Sequence, residues 1–253
     1  MTRTGRFIED LTWPEVAEAF KADVPVVVPI GAAAKEHGHH LPMKTDWLLA
    51  RALSEGVAAK LPVLIAPIVP FGYYPVFRAY AGSQHLSADT FVRLLTELLE
   101  GMLDQGARRI AIVNTGVSTE GPVGLATRGI LERRGIKIGI ADIRRLGRGA
   151  DHLLQQKFGG HADERETSIL LAIAPALVRM ERARVDYGKE PPPGIFATPT
   201  TMQSADASAA DYSATGAFGD PTLASAEKGR AFLDAMLGDL VQGLIALFPD
   251  LPR

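Results

Sequence analysis

Val24-Pro25-Val26-Val27-Val28-Pro29-Ile30 runs directly into Gly31-Ala-Ala-Ala-Lys-Glu-His-Gly-His-His-Leu-Pro-Met-Lys-Thr-Asp46. The first piece is apolar throughout, with no alternation that would give it a wet face. It reads as a strand buried on both sides, the kind that a parallel sheet covered by helices produces. The second piece places three of the chain's six histidines and two carboxylates within sixteen residues. A helix pattern opens directly after it. Imidazoles and carboxylates gathered in the loop beyond a buried strand are the donors that a transition-metal or zinc site needs.

Working outward, the same alternation repeats. Thr12 to Lys21 reads as an N-capped helix with Pro14 in its first turn. Thr45 is expected to cap a helix from Asp46 to Lys60, with Leu48, Leu49, Ala52, Leu53 and Val57 on one face. Val63–Pro67 reads as a second buried strand, and Phe71 to Leu86 as an aromatic and glycine-rich loop. Ser87 opens a helix through Gln105, followed by a strand at Ile110–Val113, a helix from Pro122 to Arg134 and a strand at Lys137–Ile143. Asp163 caps a helix to Ala174, and a last helix covers Ala224–Phe248. Tyr187 to Asp220 is a long Pro-, Gly-, Ala-, Ser- and Thr-rich loop. Short apolar runs alternating with amphipathic helices mean βαβ units. The predicted fold class is α/β, a three-layer αβα sandwich with a largely parallel central sheet, and residues 1–253 are read as one domain.

Composition narrows the chemistry. A hydrophobic content of 47% with 22% charged residues suits a chain of 253 residues with a substantial core. A formal net charge of −2 offers no basic field for nucleic acid or an anionic membrane. Zero cysteines exclude disulfides, thiolate zinc sites and cysteine nucleophiles, so any metal must be held by His, Asp and Glu. Residues 1–10 lack the apolar run of a signal peptide, and no segment approaches the ~20 apolar residues that span a bilayer, so a cytoplasmic protein is expected.

In open α/β sheets, ligands bind beyond the carboxyl ends of the strands. The His-rich loop, Asn114–Glu120 and Gly159–Glu166 all lie after such strands and can converge. Asp46 falls in the first turn of a helix, where the helix field favours an anion, and its carboxylate could bridge two metals while His37 binds one. Glu36 adjoins His37, so both face one ion only if the loop kinks, which Gly38 permits. His39 and His40 are neighbours as well, and at most one of them ligates. His161, five residues before Glu166, suits general acid or base work in a Gly-rich loop. Glu166 either ligates, orients or simply carries a favourable N-terminal helix charge. The Asn114–Glu120 loop could bind an anion or oxyanion, with Glu120 as an alternative ligand or catalytic group. Ser118 lacks a nucleophile elbow around it, and no phosphate-binding loop is present. The aromatic loop (Phe71, Tyr73, Tyr74, Phe77, Tyr80) and Trp47 either line a pocket or belong to the core.

These pieces together resemble the creatininase (creatinine amidohydrolase) family. The matching stretches are Leu11-Thr-Trp-Pro-Glu15, Pro29-Ile-Gly-Ala32, Glu36-His-Gly-His-His-Leu-Pro42 with Thr45-Asp46, and Tyr80-Ala-Gly-Ser83. Gly160-His161-Ala with Glu166-Thr-Ser168 and Gly219-Asp-Pro-Thr222 follow in the family's order, over nearly the whole length. The resemblance implies a two-metal amidohydrolase site at the strand ends, with zinc or manganese, one or two ions, acting on a small cyclic or linear amide. It also implies a homo-oligomer, commonly a hexamer. By position, His37 looks like a metal ligand, Asp46 like the bridging carboxylate, His161 like the proton shuttle and Glu166 like the family's helix glutamate.

Two departures stand out. The family pattern is Glu-x-His, and the position of its glutamate is here Lys35; the segment reads as carrying one extra residue, through which Glu36 would ligate on a bulge. The family's second metal motif, Asn-Gly-His, is here Asn114-Thr-Gly-Val-Ser-Thr-Glu120, without its histidine. His40 and His85 are the candidates to replace it. The expected activity is metal-dependent hydrolysis of an amide C–N bond, with a non-enzymatic small-molecule-binding or assembly protein on the same scaffold as the alternative.

Overall fold

A computed structural model describes residues 4–188, 208 and 213–251. Among them, strands β1 (Arg6–Phe7), β2 (Val26–Ile30), β3 (Leu64–Ile65), β4 (Ile110–Asn114) and β5 (Gly139–Asp142) form one parallel sheet in the order β1-β3-β2-β4-β5. The helices are α1 (Trp13–Lys21), α2 (Thr45–Lys60), α3 (Ala88–Asp104), α4 (Glu120–Arg134), α5 (Glu164–Ile173) and α6 (Ala226–Leu247). Successive strand side chains point to opposite faces. On β2, Val26, Val28 and Ile30 accordingly join a core with Phe20 of α1, Leu95 and Leu99 of α3 and Ile130 of α4. Val27 joins the opposite core, with Leu53 of α2, Ile169 of α5 and Phe232 and Met236 of α6. The sheet is thus covered on both faces, a three-layer αβα sandwich.

Local chemistry sets the helix ends. Ser87 Oγ accepts from Thr90 N, Asp163 Oδ1 from Glu166 N at 3.0 Å, and Ser225 Oγ from Lys228 N. Glu15 reaches back to Thr12 N at 2.8 Å, while Gly135, at φ 67°, ends α4 in the left-handed region. Thr45 departs from its expected capping role. It is the first residue of α2, and its hydroxyl donates to Pro42 O at 2.7 Å. α4 starts at Glu120, two residues before Pro122, because Pro122 fits the first turn where no N–H is needed. The Tyr187–Asp220 loop is described only at its two ends and at residue 208; residues 189–207 and 209–212 lie outside the described residues.

The ends of β2, β4 and β5 are aligned, with Ile30 opposite Asn114 and Asn114 opposite Asp142. The loops that leave them therefore start side by side. α2 returns so close to β2 that a Cβ on Gly31 would stand 2.5 Å from Asp46 O. Thr115 Oγ1 ties the β4 exit to both, donating to Ile30 O at 3.0 Å and Asp46 O at 3.1 Å. α5 is held against α6 by an equally close approach, with a Cβ on Gly229 falling 1.9 Å from Ser168 O. Gly229→Ala must push α6 away from the helix that carries Glu166. It is expected to lower unfolding free energy by about 1–3 kcal/mol, read as a shifted urea midpoint at unchanged m-value.

Candidate metal centre

Asp46 sits buried in the first turn of α2 with two partners. Its Oδ1 lies 2.9 Å from His37 Nε2, and Lys35 Nζ stands 2.8 Å from Oδ2. The Lys35 ammonium is the one charged partner of Oδ2 among the described residues, in a setting buried from water. Burial pushes the Asp46 pKa upward, yet the charges of Lys35 and His37 outweigh it and hold the carboxyl well below its usual range. On the far side of the ring, His37 Nδ1 is 2.9 Å from Lys35 O. A carbonyl can only accept, so Nδ1 carries the proton. Nε2 then turns its lone pair on Asp46 Oδ1, an arrangement that needs a cation between the two atoms, either a proton or a metal ion.

His161 enters from the opposite side. Its backbone pairs with Phe218, with Phe218 N donating to His161 O at 2.8 Å. Nε2 lies 3.1 Å from Glu36 Oε2, and Nδ1 lies 3.8 Å from Glu166 Oε2. Phe77 covers the ring at a centroid distance of 4.4 Å, and His37 lies 4.8 Å away. Burial disfavours the imidazolium of His161, but Glu36, by charge and hydrogen bond, and Glu166 more than offset this and raise its pKa. The next residue, Ala162, adopts φ 46°, uncommon for a non-glycine residue, and donates its N–H to Glu166 Oε2 at 2.6 Å. Asp163 is pushed up to about 6 by burial and the neighbouring charge of Glu166.

One ligand atom from each of His37, His161 and Glu166 falls in a group spanning no more than 4.8 Å. With Asp46 adjoining His37, an imidazole and the carboxylates of Asp46 and Glu166 offer nitrogen and oxygen donors of the kind that suits zinc or manganese, with the His161 imidazole beside them. The Lys35 carbonyl that accepts from His37 Nδ1 holds the ring with Nε2 toward Asp46, the orientation a metal-bound imidazole needs. Both oxygens of Glu36 are engaged, one by His161 and the other by Gly38 N, so this carboxylate serves His161. A Cβ on Gly216 would stand 2.0 Å from Glu36 Oε1, which explains a glycine there at φ 69°.

Glu120 is not brought into this group. Its carboxylate pairs with Arg144 and lines a neighbouring groove with Arg128 and Arg145. The other histidines are also occupied: His39 Nε2 with Ala214 O at 3.1 Å, His40 Nε2 with Thr167 Oγ1 at 2.8 Å, and His85 Nδ1 with Tyr74 N at 3.1 Å. Among the described residues, none of the three belongs to the group formed by His37, His161 and Glu166. Tyr73, Tyr74 and Phe77 line the cleft over the centre, facing Thr115, Gly116, Ser118 and Arg144. Trp47 is not among the cleft residues. Sequence reasoning passed over Lys35, which is buried and whose Nζ lies 5.1 Å from the Phe77 ring centroid. Its one signal was its place in the family's glutamate position.

His40 offers a pH test. Burial brings its pKa down to about 4, so the folded protein holds it neutral while the unfolded chain takes up a proton near ~6.5. Between those values the unfolded state binds more protons, and stability falls as pH drops. Relative to His40→Gln, which can keep a hydrogen bond to Thr167, the wild type is expected to lose up to about 3 kcal/mol from pH 7 to pH 4 in urea titrations. Parallel stability profiles for the two proteins would contradict this.

Residues 9–244 match the family model of creatinine amidohydrolase (creatininase). A mycofactocin precursor peptide peptidase from Mycobacterium tuberculosis is 31% identical, over 93% of this chain and 92% of that protein. A creatinine amidohydrolase from Pseudomonas putida is 27% identical, over 96% and 97% respectively. A solved mutant creatininase of Zn-Zn type superposes with a TM-score of 0.79 at 26% identity, covering 96% of this chain and 98% of that one. Among the described residues no helix is long and apolar enough to cross a membrane.

Proposed function

The chain belongs to the creatininase family, and from that premise we propose that it hydrolyses an amide C–N bond using a divalent ion held by His37, Asp46 and Glu166, with His161 as proton carrier. One juxtaposition supports this above all. His37 Nε2 and Asp46 Oδ1 face each other at 2.9 Å, with a His161 nitrogen and a Glu166 oxygen within 4.8 Å of the His37 donor. A bound zinc or manganese ion supplies Lewis acidity toward the amide carbonyl and brings a water's pKa toward neutrality.

The protein's own groups do the rest. Glu36 fixes His161 by accepting from Nε2, which leaves Nδ1 directed at Glu166 and the cleft as the atom that takes and returns a proton. Phe77 shields that imidazole from bulk water. Tyr73 and Tyr74 offer flat apolar walls for a small cyclic or linear amide. The peptidase relative argues for including short peptides among the substrates to be tried.

The test is a panel of creatinine, lactams, formamides and short peptides, run with zinc- and manganese-loaded protein. Turnover of at least one class is expected, with at least a hundredfold loss on chelation and recovery on re-addition of metal. A protein that takes up no metal and turns over none of the panel would instead be a small-molecule-binding member of the family.

A further inference from the structure

We propose that the Lys35 ammonium stands in for one of the two cations of a creatininase-type centre, so that this chain holds a single divalent ion beside a positive charge of its own. The inference rests on the metal-dependent reading above and concerns how many ions that site takes.

Three observations lead to it. First, Lys35 stands two residues before His37, so the loop that carries the candidate ligands also carries a cation of its own. Second, the side chain does not turn outward, as a lysine with a flexible stem is free to do. It is buried, with Nζ 2.8 Å from Asp46 Oδ2, and Asp46 is its one ion-pair partner among the described residues. Asp46 thereby bridges two positive positions through its two oxygens: Oδ1 toward the group formed by His37, His161 and Glu166, and Oδ2 toward the ammonium. Third, the loop that would complete another metal position has lost its ligands. Asn114–Glu120 contains no histidine, and Glu120 is turned to Arg144. A second divalent ion at Asp46 Oδ2 would meet a buried like charge and too few donors. The solved relative of Zn-Zn type marks the contrast.

A buried lysine is costly unless a counter-charge faces it, and Asp46 supplies that charge. The exchange of a metal ion for an ammonium keeps the bridging carboxylate neutralised on both oxygens. It also makes the remaining ion bind more weakly than it would without a fixed positive neighbour.

The experiment loads metal-stripped wild type and Lys35→Met with zinc. Ions per chain are counted by mass spectrometry, and affinity is read by competition with a chelating dye. The wild type is expected to take one ion, and Lys35→Met to bind zinc at least tenfold more tightly. Its thermal midpoint should also rise more on loading than that of the wild type. Two ions per wild-type chain, or an affinity in Lys35→Met within twofold of wild type, would overturn the proposal while leaving the metal-dependent reading intact. No zinc in either protein would overturn that reading itself. If stripped Lys35→Met does not fold, wild-type crystals grown with zinc decide the matter through anomalous scattering. One peak among His37, Asp46 and Glu166 with Lys35 still on Asp46 upholds it, and two peaks refute it.

Discussion

Asp46→Ala is expected to destabilise the metal-free protein by about 3–5 kcal/mol and to remove tight metal binding altogether. The carboxylate faces both Lys35 and His37, all three being buried. Deleting it leaves an ammonium in the interior with no counter-charge, which costs far more than the loss of a surface ion pair. It also removes the negative charge from the first turn of α2. Asp46→Asn keeps the volume and lacks the charge, so it should lose metal binding as fully. The two variants are compared by urea unfolding and by zinc competition. A loss of under 1 kcal/mol in Asp46→Ala would mean that Lys35 finds water, and the buried triad described above would be wrong.

His161→Ala should reduce turnover of a metal-loaded substrate reaction by roughly 10²–10⁴-fold, mostly in kcat. The ring lies between Glu36 and Glu166 and beneath Phe77, so its removal deletes the one imidazole of the cleft that is not facing Asp46. Zinc stoichiometry should be unchanged in this variant, since His37, Asp46 and Glu166 remain. If His161→Ala loses its ion as well, His161 is a ligand and the proton carrier must be sought elsewhere. Glu36→Gln, which keeps an acceptor for Nε2 and removes the charge, should fall between this variant and wild type. Steady-state kinetics separates these outcomes by the way kcat and KM divide.

Much of this architecture was readable from hydrophobic pattern. The run Val24–Ile30 announced a strand with two buried faces, and Val27 and Val28 do lie in opposite cores. The α3 stripe was legible only in part: the sequence pattern of Phe91, Leu94, Leu95, Leu98 and Met102 includes the buried Phe91 and Leu95, whereas the buried line continues through Leu99 and Leu103 and leaves Leu98 exposed. β1 was not, because a two-residue edge strand has too few positions to show a period. β3 shrank to Leu64–Ile65 between Pro62 and Pro67, which cannot donate to a ladder. Within the centre, His37, Asp46, His161 and Glu166 are residue types that announce ligand or acid–base chemistry. Lys35 belongs to a type that seldom ligates a metal, so only its contact with Asp46 gives it meaning. The position of Glu36 followed from long-range packing against His161 and Gly216, which no local spacing encodes.

His161 meets Glu36 across 125 residues of chain, and His39 meets Ala214 across 175. Contacts of such separation form late, after the loop entropy between them has been overcome. During synthesis, the His-rich segment therefore emerges long before its partners. Lys35, His37 and Asp46 lie within twelve residues of one another, so their ion pair needs none of the later partners His161, Glu166 or Phe218. The internal cation of this protein is present from the first third of its synthesis, when the Asp46 carboxylate would otherwise stand without a counter-charge. A centre carrying its own positive charge can fold in a metal-poor interval and accept its ion when the polypeptide is complete.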